Sequence, residues 1–247
     1  MSRMKFEGLL ENEFTLSDKV LRSKNGADSG VIDVPVENLI LDEENITIFG
    51  DFNQDSIDSL SKDIENDGFK GTILAYPIRK DGDLQFYQIE SGHKRYLAAK
   101  QAGLKKVPVI VTEIPKSDAE RRLRLISMNL HTRETPKPSI LANEAAILLN
   151  SIRELREEEG LSTDMTTLTQ LVAERMERST KAIEKYRQFK KLIPKLQDLA
   201  DEGASWSALV NCSSLSPERQ EMIAFKIRNE AETVGVENIS RQWILNL

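Results

Sequence analysis

Apolar and polar positions along the chain change period several times, and each change marks an element. Val31–Val34 is a short β-branched run that Pro35 ends. Residues 41–52 break the pattern and read as an acidic loop closing in Phe49-Gly50-Asp51. From about Asn53 to Asp67, Ile57, Leu60 and Ile64 recur at helical spacing after a polar start, and Gly68 closes the helix. Ile73 to Arg79 and Leu84 to Glu90 read as two strands, with Asp81-Gly82 between them as a hairpin turn. Ser91-Gly92 breaks the second strand, and residues 93–102 take a helical period that Gly103 stops. Val107–Val111 is again β-branched. Beyond Pro115 the period is helical almost throughout. It runs over 119–130 with Leu123, Leu125 and Ile126, and over 139–158 with Ile140, Leu141, Ala145, Leu148, Leu149 and Ile152 inward. It continues over 167–187, 192–201, 206–210 and 217–231. This order predicts an α+β domain followed by an all-α domain, with Pro136-Lys137-Pro138 as the hinge. Trp206 and Phe225 are expected in the core.

Two stretches carry candidate chemistry. The first is the strand–glycine–helix turn at Ser91-Gly92-His93-Lys94-Arg95. A glycine lets main-chain N–H groups approach an anion closely, and the helix N-terminus behind it adds a positive dipole. Lys94 and Arg95 then place two cations on the first turn, where they oppose that dipole. Cations so placed suit an anionic ligand; a surface helix that merely begins on basic residues has the same pattern.

The second is Thr167 to Arg187, which reads as a helix-turn-helix. Leu171, Val172, Met176 and Ile183 have the spacing of a shared core, Ala173 is small where two helices would cross, and Ser179 suits a cap on the second helix. Ser179, Thr180, Lys181, Glu184, Lys185 and Arg187 would then face a major groove. Arg175, Arg178, Lys190 and Lys191 would suit phosphates. The turn holds Glu177 where glycine is usual, and a left-handed glutamate costs about a kcal/mol. An ordinary helical hairpin with a solvated charged face is the competing reading.

Charge sharpens this. The net charge is −6 over 247 residues, which by itself argues against nucleic acid. Its distribution argues the other way. Residues 1–60 are strongly acidic, whereas residues 175–195 carry Arg175, Arg178, Lys181, Lys185, Arg187, Lys190, Lys191 and Lys195 against only Glu177 and Glu184. A basic helix on an acidic chain is the footprint of local DNA contact. The single cysteine, Cys212, leaves no internal disulfide and fits a reducing cytoplasm. His93 and His131 alone cannot make a zinc site. No apolar run approaches a membrane span.

Gly92-His93-Lys94-Arg95-Tyr96-Leu97-Ala98, then Ala99-Lys100-x-Ala102-Gly103-Leu104 and Val107-Pro108-Val109-Ile110-Val111, resembles the nucleotide-binding signature of ParB-type partition proteins. That signature is Gly-x-Arg-Arg-x-Arg-Ala with the same helix and strand, so Lys94 and Leu97 depart from it. The resemblance implies a ParB/sulfiredoxin-like domain over 31–135, a helix-turn-helix domain over 136–240, and an N-terminal arm over 1–30. It implies CTP as ligand, bound by Gly71, Thr72, Gly92, His93, Lys94, Arg95, Asn129 and Arg133, with Mg²⁺ held through the nucleotide at Asn129. Met128 stands where the family has glutamate, so the chain would be at most a slow CTPase, and no catalytic residue is assigned.

The family also implies a CTP-gated clamp, assembled by self-association on a palindromic double-stranded site. A Walker-type ATPase would engage residues 1–30 through Arg3, Lys5, Arg22 and Lys24; a plain disordered tail is the competing reading of this arm, and the stronger one. Such a protein would be cytoplasmic, bound to nucleoid or plasmid. The chain stops at Leu247, without room for the dimerising C-terminal domain of full partition proteins, which makes it a shorter relative or a truncated form. Two other readings remain open: a transcription regulator with a degenerate nucleotide site, and a nucleotide-dependent enzyme or nuclease on the same fold. Glu90 and Asp81, the candidate carboxylates for the latter, do not form a recognisable set.

Overall fold

The computed structural model describes residues 30–130 and 136–247. Among them two compact units are distinguished: residues 30–41 with 53–114, and residues 42–52 with the chain beyond Pro115. The changeover at Ile114/Pro115 differs from the division expected at Pro136–Pro138. The expected arm at 1–30 lies outside the described residues, apart from Gly30.

The first unit is built on five strands: β1 (Val31–Pro35), β2 (Leu39–Ile40), β3 (Ile73–Asp81), β4 (Leu84–Ser91) and β5 (Lys106–Val111). They lie in the order β1-β5-β3-β4-β2. β5 runs antiparallel to β1 and parallel to β3, and β4 runs antiparallel to β3 and parallel to β2. The turn between β3 and β4 is Gly82-Asp83, one residue later than the sequence suggests, with Gly82 at φ +57°. Cross-strand pairs Val34–Val107, Ile73–Val109 and Ala75–Ile89 set the buried face. All but Ala75 are β-branched and pack well on a pleated surface. Helices α2 (Gln54–Asp67) and α3 (His93–Gln101) pack on each other in the same unit, and Ile57 and Ile64 of α2 are buried. Asn53 caps α2, its side chain accepting from Ser56 N.

One segment departs from expectation. Residues 41–52 are not a loop: Glu43–Phe49 forms helix α1. Asp42 accepts from the Glu44 N–H at its start, and Glu43 and Glu44 complement the dipole of the first turn. Ile48 and Phe49 are buried. Arg121 binds Asp42 at 2.6 Å and Glu44 at 3.0 Å, which fixes α1 on the second unit. The acidic run that suggested a loop is thus a cap, a first turn and an ion-pair partner.

The second unit continues with α4 (Asp118–Ser127), α5 (Pro138–Glu158), α6 (Met165–Arg175), α7 (Thr180–Phe189), α8 (Pro194–Asp201), α9 (Trp206–Leu209), α10 (Pro217–Val234) and α11 (Arg241–Leu245). Leu148, Leu168, Val172, Ile183, Phe189, Leu196, Leu199, Leu209 and Ile227 form its core. Pro138 stands at the first turn of α5, where a missing N–H costs nothing, and Asp201 of α8 accepts from the Ser139 N–H. Trp206 stacks on Tyr186 with ring centroids 5.3 Å apart and meets Phe189 edge-on. Phe225 is not core: it is 67% exposed on α10, beside the likewise exposed Met222. The helical period of α10 turns Ile223, Ala224 and Ile227 inward and leaves those two outward.

Gln220 is buried and ties two backbone segments. Its Oε1 accepts from Ile193 N at 2.9 Å and its Nε2 donates to Leu215 O at 3.1 Å. Gln220→Leu keeps the volume but strands both main-chain groups. We expect it to lower stability by about 2–3 kcal/mol, roughly 6–10 °C in Tm by calorimetry.

Candidate functional site

The glycine turn forms where β4 ends. Leu74 pairs with Ser91 and Ala75 with Ile89, so Glu90 is the extra residue of a β-bulge. Its carboxylate is buried and accepts from Thr112 Oγ1 at 2.5 Å, and the Thr112 N–H in turn donates to Ala75 O. This fixes the strand end two residues before Gly92. The sequence offered Glu90 only as a candidate nuclease carboxylate, and Thr112 not at all. A buried carboxylate in a hydrophobic strand would have been the signal. Asp81 is exposed at the far end of the hairpin, so it shares no surroundings with Glu90.

Gly92 lies at φ +96°, ψ 21°, and no side chain caps α3 behind it. Helices α1, α2, α4, α6, α7, α10 and α11 each begin under a capping side chain. The first amides of α3 have no intrahelical acceptor. A Cβ on Gly92 would also come within 3.3 Å of Ile73 Cγ1 and 3.4 Å of Ile73 Cα, so glycine is required twice over.

Across from it, Gly71 stands at φ +87°, and a Cβ there would lie 2.7 Å from Arg95 Nη1. Arg95 Nε in turn is 3.6 Å from the Cβ position of Gly92. The Arg95 guanidinium thus lies against two bare stretches of left-handed backbone, half-buried, and desolvation lowers its pKa. A partly dehydrated guanidinium beside uncapped helix amides is an arrangement with the donors to suit an anion. Lys94 is exposed at its rim and Thr72 is half-buried beside Gly71. The His93 imidazole is 4% exposed, packed inside, so a ligand would meet this residue through its main-chain N–H.

The predicted site residues do not all fall in one unit. Gly71, Thr72, Gly92, His93, Lys94 and Arg95 belong to the first. Asn129 belongs to the second, in the turn after α4, and its Nδ2 donates to Leu125 O at 2.7 Å. Arg133 lies outside the described residues, as does His131.

In the second unit α6 and α7 form the helix-turn-helix expected from the sequence. Val172, Ala173, Met176 and Ile183 are buried between them, and Leu171 is half-buried. Glu177 adopts φ +52°, the one non-glycine residue with positive φ among those described. Arg178 N closes the turn on Ala173 O at 2.9 Å. The left-handed cost at Glu177 gives a simple expectation. Glu177→Gly should stabilise the chain by roughly 0.5–1 kcal/mol, a rise of about 2–4 °C in Tm by calorimetry, because relief of the Cβ clash exceeds the added chain entropy.

Ser179 accepts from the Ala182 N–H as N-cap of α7. Arg178, Thr180, Lys181, Lys185 and Lys191 are exposed. Glu184 is half-exposed and held from two sides, by Thr169 Oγ1 at 3.3 Å and by Arg187 Nη1 at 2.9 Å from each carboxylate oxygen. Lys190 donates to Asn143 Oδ1. Arg175 is different from the rest: it is half-buried, and its Nε donates to Ser127 Oγ at 2.9 Å. Burial pushes its pKa down to about 10. The described residues contain no group of three or more His, Cys, Asp or Glu placed to hold a metal, and no described helix is long and apolar enough to cross a membrane.

Comparison with known proteins gives the following likenesses. Residues 22–129 match the family model of the ParB N-terminal domain. The chromosome-partitioning protein ParB of Myxococcus xanthus is 34% identical over 91 residues, 37% of this chain and 28% of the relative. A probable chromosome-partitioning protein ParB of Rickettsia conorii is 26% identical over 196 residues, 79% of this chain and 60% of the relative. The chain thus spans at most about 60% of the length of these relatives. A C-terminally truncated ParB of Caulobacter crescentus, complexed to the centromeric parS site, matches with TM-score 0.53 at 19% identity, over 87% of this chain and 97% of that one. The truncated Caulobacter protein complexed with CTP-gamma-S matches with TM-score 0.36 at 20% identity, over 87% of this chain and 99% of that one. The first of these likenesses shows a shared fold. Residues 22–129 therefore match a ParB N-terminal domain, and over 79% of its length the chain is similar to a probable chromosome-partitioning protein.

Proposed function

We propose that this chain is a CTP-binding, sequence-specific DNA-binding partition factor. The observation that carries the nucleotide half is Arg95 lying against Gly71 and Gly92, with its Nη1 2.7 Å from where a Gly71 Cβ would be. A triphosphate laid on that backbone would accept from the first amides of α3 and from the guanidinium, which offers a phosphate two parallel donors. Lys94 adds a point charge at the rim. The donor set fits a polyphosphate, and cytosine is the base that the family resemblance assigns. Mg²⁺ would ride on the phosphates, with Asn129 and Arg133 as further ligands of the nucleotide on the same resemblance. It would neutralise phosphate charge there.

The DNA half rests on α6 and α7. A helix of this diameter fits a major groove. Arg178, Lys181, Lys185 and Lys191 are exposed cations on the stretch that carries α7. The relative complexed to the centromeric parS site supports DNA as partner; a palindromic duplex and a dimer as the bound form are what the family resemblance adds. Docking on DNA is proposed to favour the CTP-bound state, in which two copies close as a clamp in the segregation of a plasmid, chromosome or mobile element. A Walker-type ATPase is the proposed partner of residues 1–30, and the cytoplasm the proposed compartment.

Titration calorimetry with CTP, UTP, ATP and GTP, with and without a duplex selected by the chain from a randomised pool, tests the reading. Binding of CTP alone among the four, tightened by that duplex, is the expected result. DNA binding with no heat from any nucleotide would make the chain a plain regulator.

A further inference from the structure

Arg175 and Ser127 form a joint inside the helical unit. Arg175 is the last residue of α6, two positions before the strained Glu177. Its Nε donates to Ser127 Oγ at 2.9 Å, and Ser127 Oγ donates onward to Leu123 O at 2.7 Å, within α4. The hydroxyl thus uses its acceptor on the guanidinium and its proton on α4. Ser127 is the last residue of α4, and Met128-Asn129-Leu130 follow it directly. The joint therefore connects the turn of the helix-turn-helix to the turn that carries Asn129.

We propose that Arg175 is a positioning residue of the reading head, holding α6 and its turn on the end of α4 through Ser127, and not a phosphate ligand. An arginine that binds phosphate needs its guanidinium accessible. The exposed cations of this stretch, Arg178, Lys181 and Lys185, offer accessible charge, while Arg175 is half-buried. A turn that stores left-handed strain at Glu177 keeps its geometry only when its surroundings over-determine it. A charge-assisted bond from a dehydrated guanidinium is such a determinant. The same bond is where DNA docking on α7 would reach residues 128–130. The inference rests on the reading of α6 and α7 as the DNA-reading pair, and only its second readout rests on the nucleotide.

The test uses the full chain and a duplex selected by the wild type from a randomised pool. Arg175→Ala, Arg175→Lys and Ser127→Ala are compared by fluorescence anisotropy across a salt series, and by CTP calorimetry with and without the duplex. Ser127→Ala is the decisive variant, since it changes no charge and is mild enough to fold. A positioning role predicts that Ser127→Ala and Arg175→Ala each weaken DNA binding by about 10-fold, with the slope of log K against log salt unchanged. It predicts Arg175→Lys between them and the wild type. It also predicts that the factor by which the duplex tightens CTP falls toward one in both, which a purely structural role would not move.

If Ser127→Ala matches the wild type while Arg175→Ala lowers the salt slope by about 0.9, Arg175 is a phosphate contact and the proposal fails. A fall in Tm with DNA affinity and CTP coupling unchanged overturns it too. A wild type that binds the duplex but no CTP overturns the nucleotide reading; the anisotropy series then still decides the role of Arg175.

Discussion

Replacing Arg95 by alanine should remove CTP binding and leave DNA binding within about threefold of the wild type. The guanidinium is the group that lies across both glycines of the cradle, and burial lowers its pKa from that of a solvated arginine. Losing two charge-assisted bonds to phosphate costs several kcal/mol, so the CTP Kd should rise by about 10²–10³-fold. Arg95→Lys should recover part of this, because an ammonium keeps the charge and loses the fork. Gly71→Ala supplies an independent check from the opposite wall. Its Cβ would stand 2.7 Å from Arg95 Nη1 on backbone at φ +87°, so the guanidinium must swing away. We expect about 10-fold weaker CTP binding there, with unchanged DNA affinity. Calorimetry gives the first quantity and anisotropy the second. Parallel loss of both in Arg95→Ala would mean that the cradle is part of the scaffold and not a ligand site.

What could be read from the sequence, and what could not, follows from the range of the signals. The strand–glycine–helix turn at Gly92 and the two helices around Glu177 are written in local pattern: a period change, a residue able to take positive φ, a capping serine. Even the left-handed glutamate was legible, because the helix-turn-helix spacing forces that conformation on whichever residue stands there. Helix α1 was missed for the converse reason. Its stability comes from Asp42 as cap and from Arg121, 79 residues away along the chain, and the acidic run hid both. The Glu90–Thr112 bond and the burial of Arg175 against Ser127 are likewise contacts between residues distant in sequence. A list of cations along 175–195 cannot distinguish an arginine turned to solvent from one turned inward. Phe225 shows the opposite limit. An aromatic in a helical run reads as core, yet the α10 period that buries Ile223 and Ile227 leaves it outside.

The second large effect belongs to α7. Lys181 and Lys185 are one turn apart on its exposed side, while Ile183, Tyr186 and Phe189 fill the core on the other. Reversing both charges, Lys181→Glu with Lys185→Glu, touches no buried atom, so Tm should move by no more than about 2 °C. DNA affinity should fall on the order of 10³-fold at moderate salt, since two attractions to the duplex become two repulsions. The slope of log K against log salt should drop by about 1.8, the value for two phosphate contacts at 0.9 each. CTP binding measured without DNA should stay within about twofold, because these lysines lie in the helical unit and the Arg95 cradle in the other. If the double reversal leaves the salt slope at the wild-type value, α7 does not face the duplex. DNA contact would then have to be sought on another face of the helical unit.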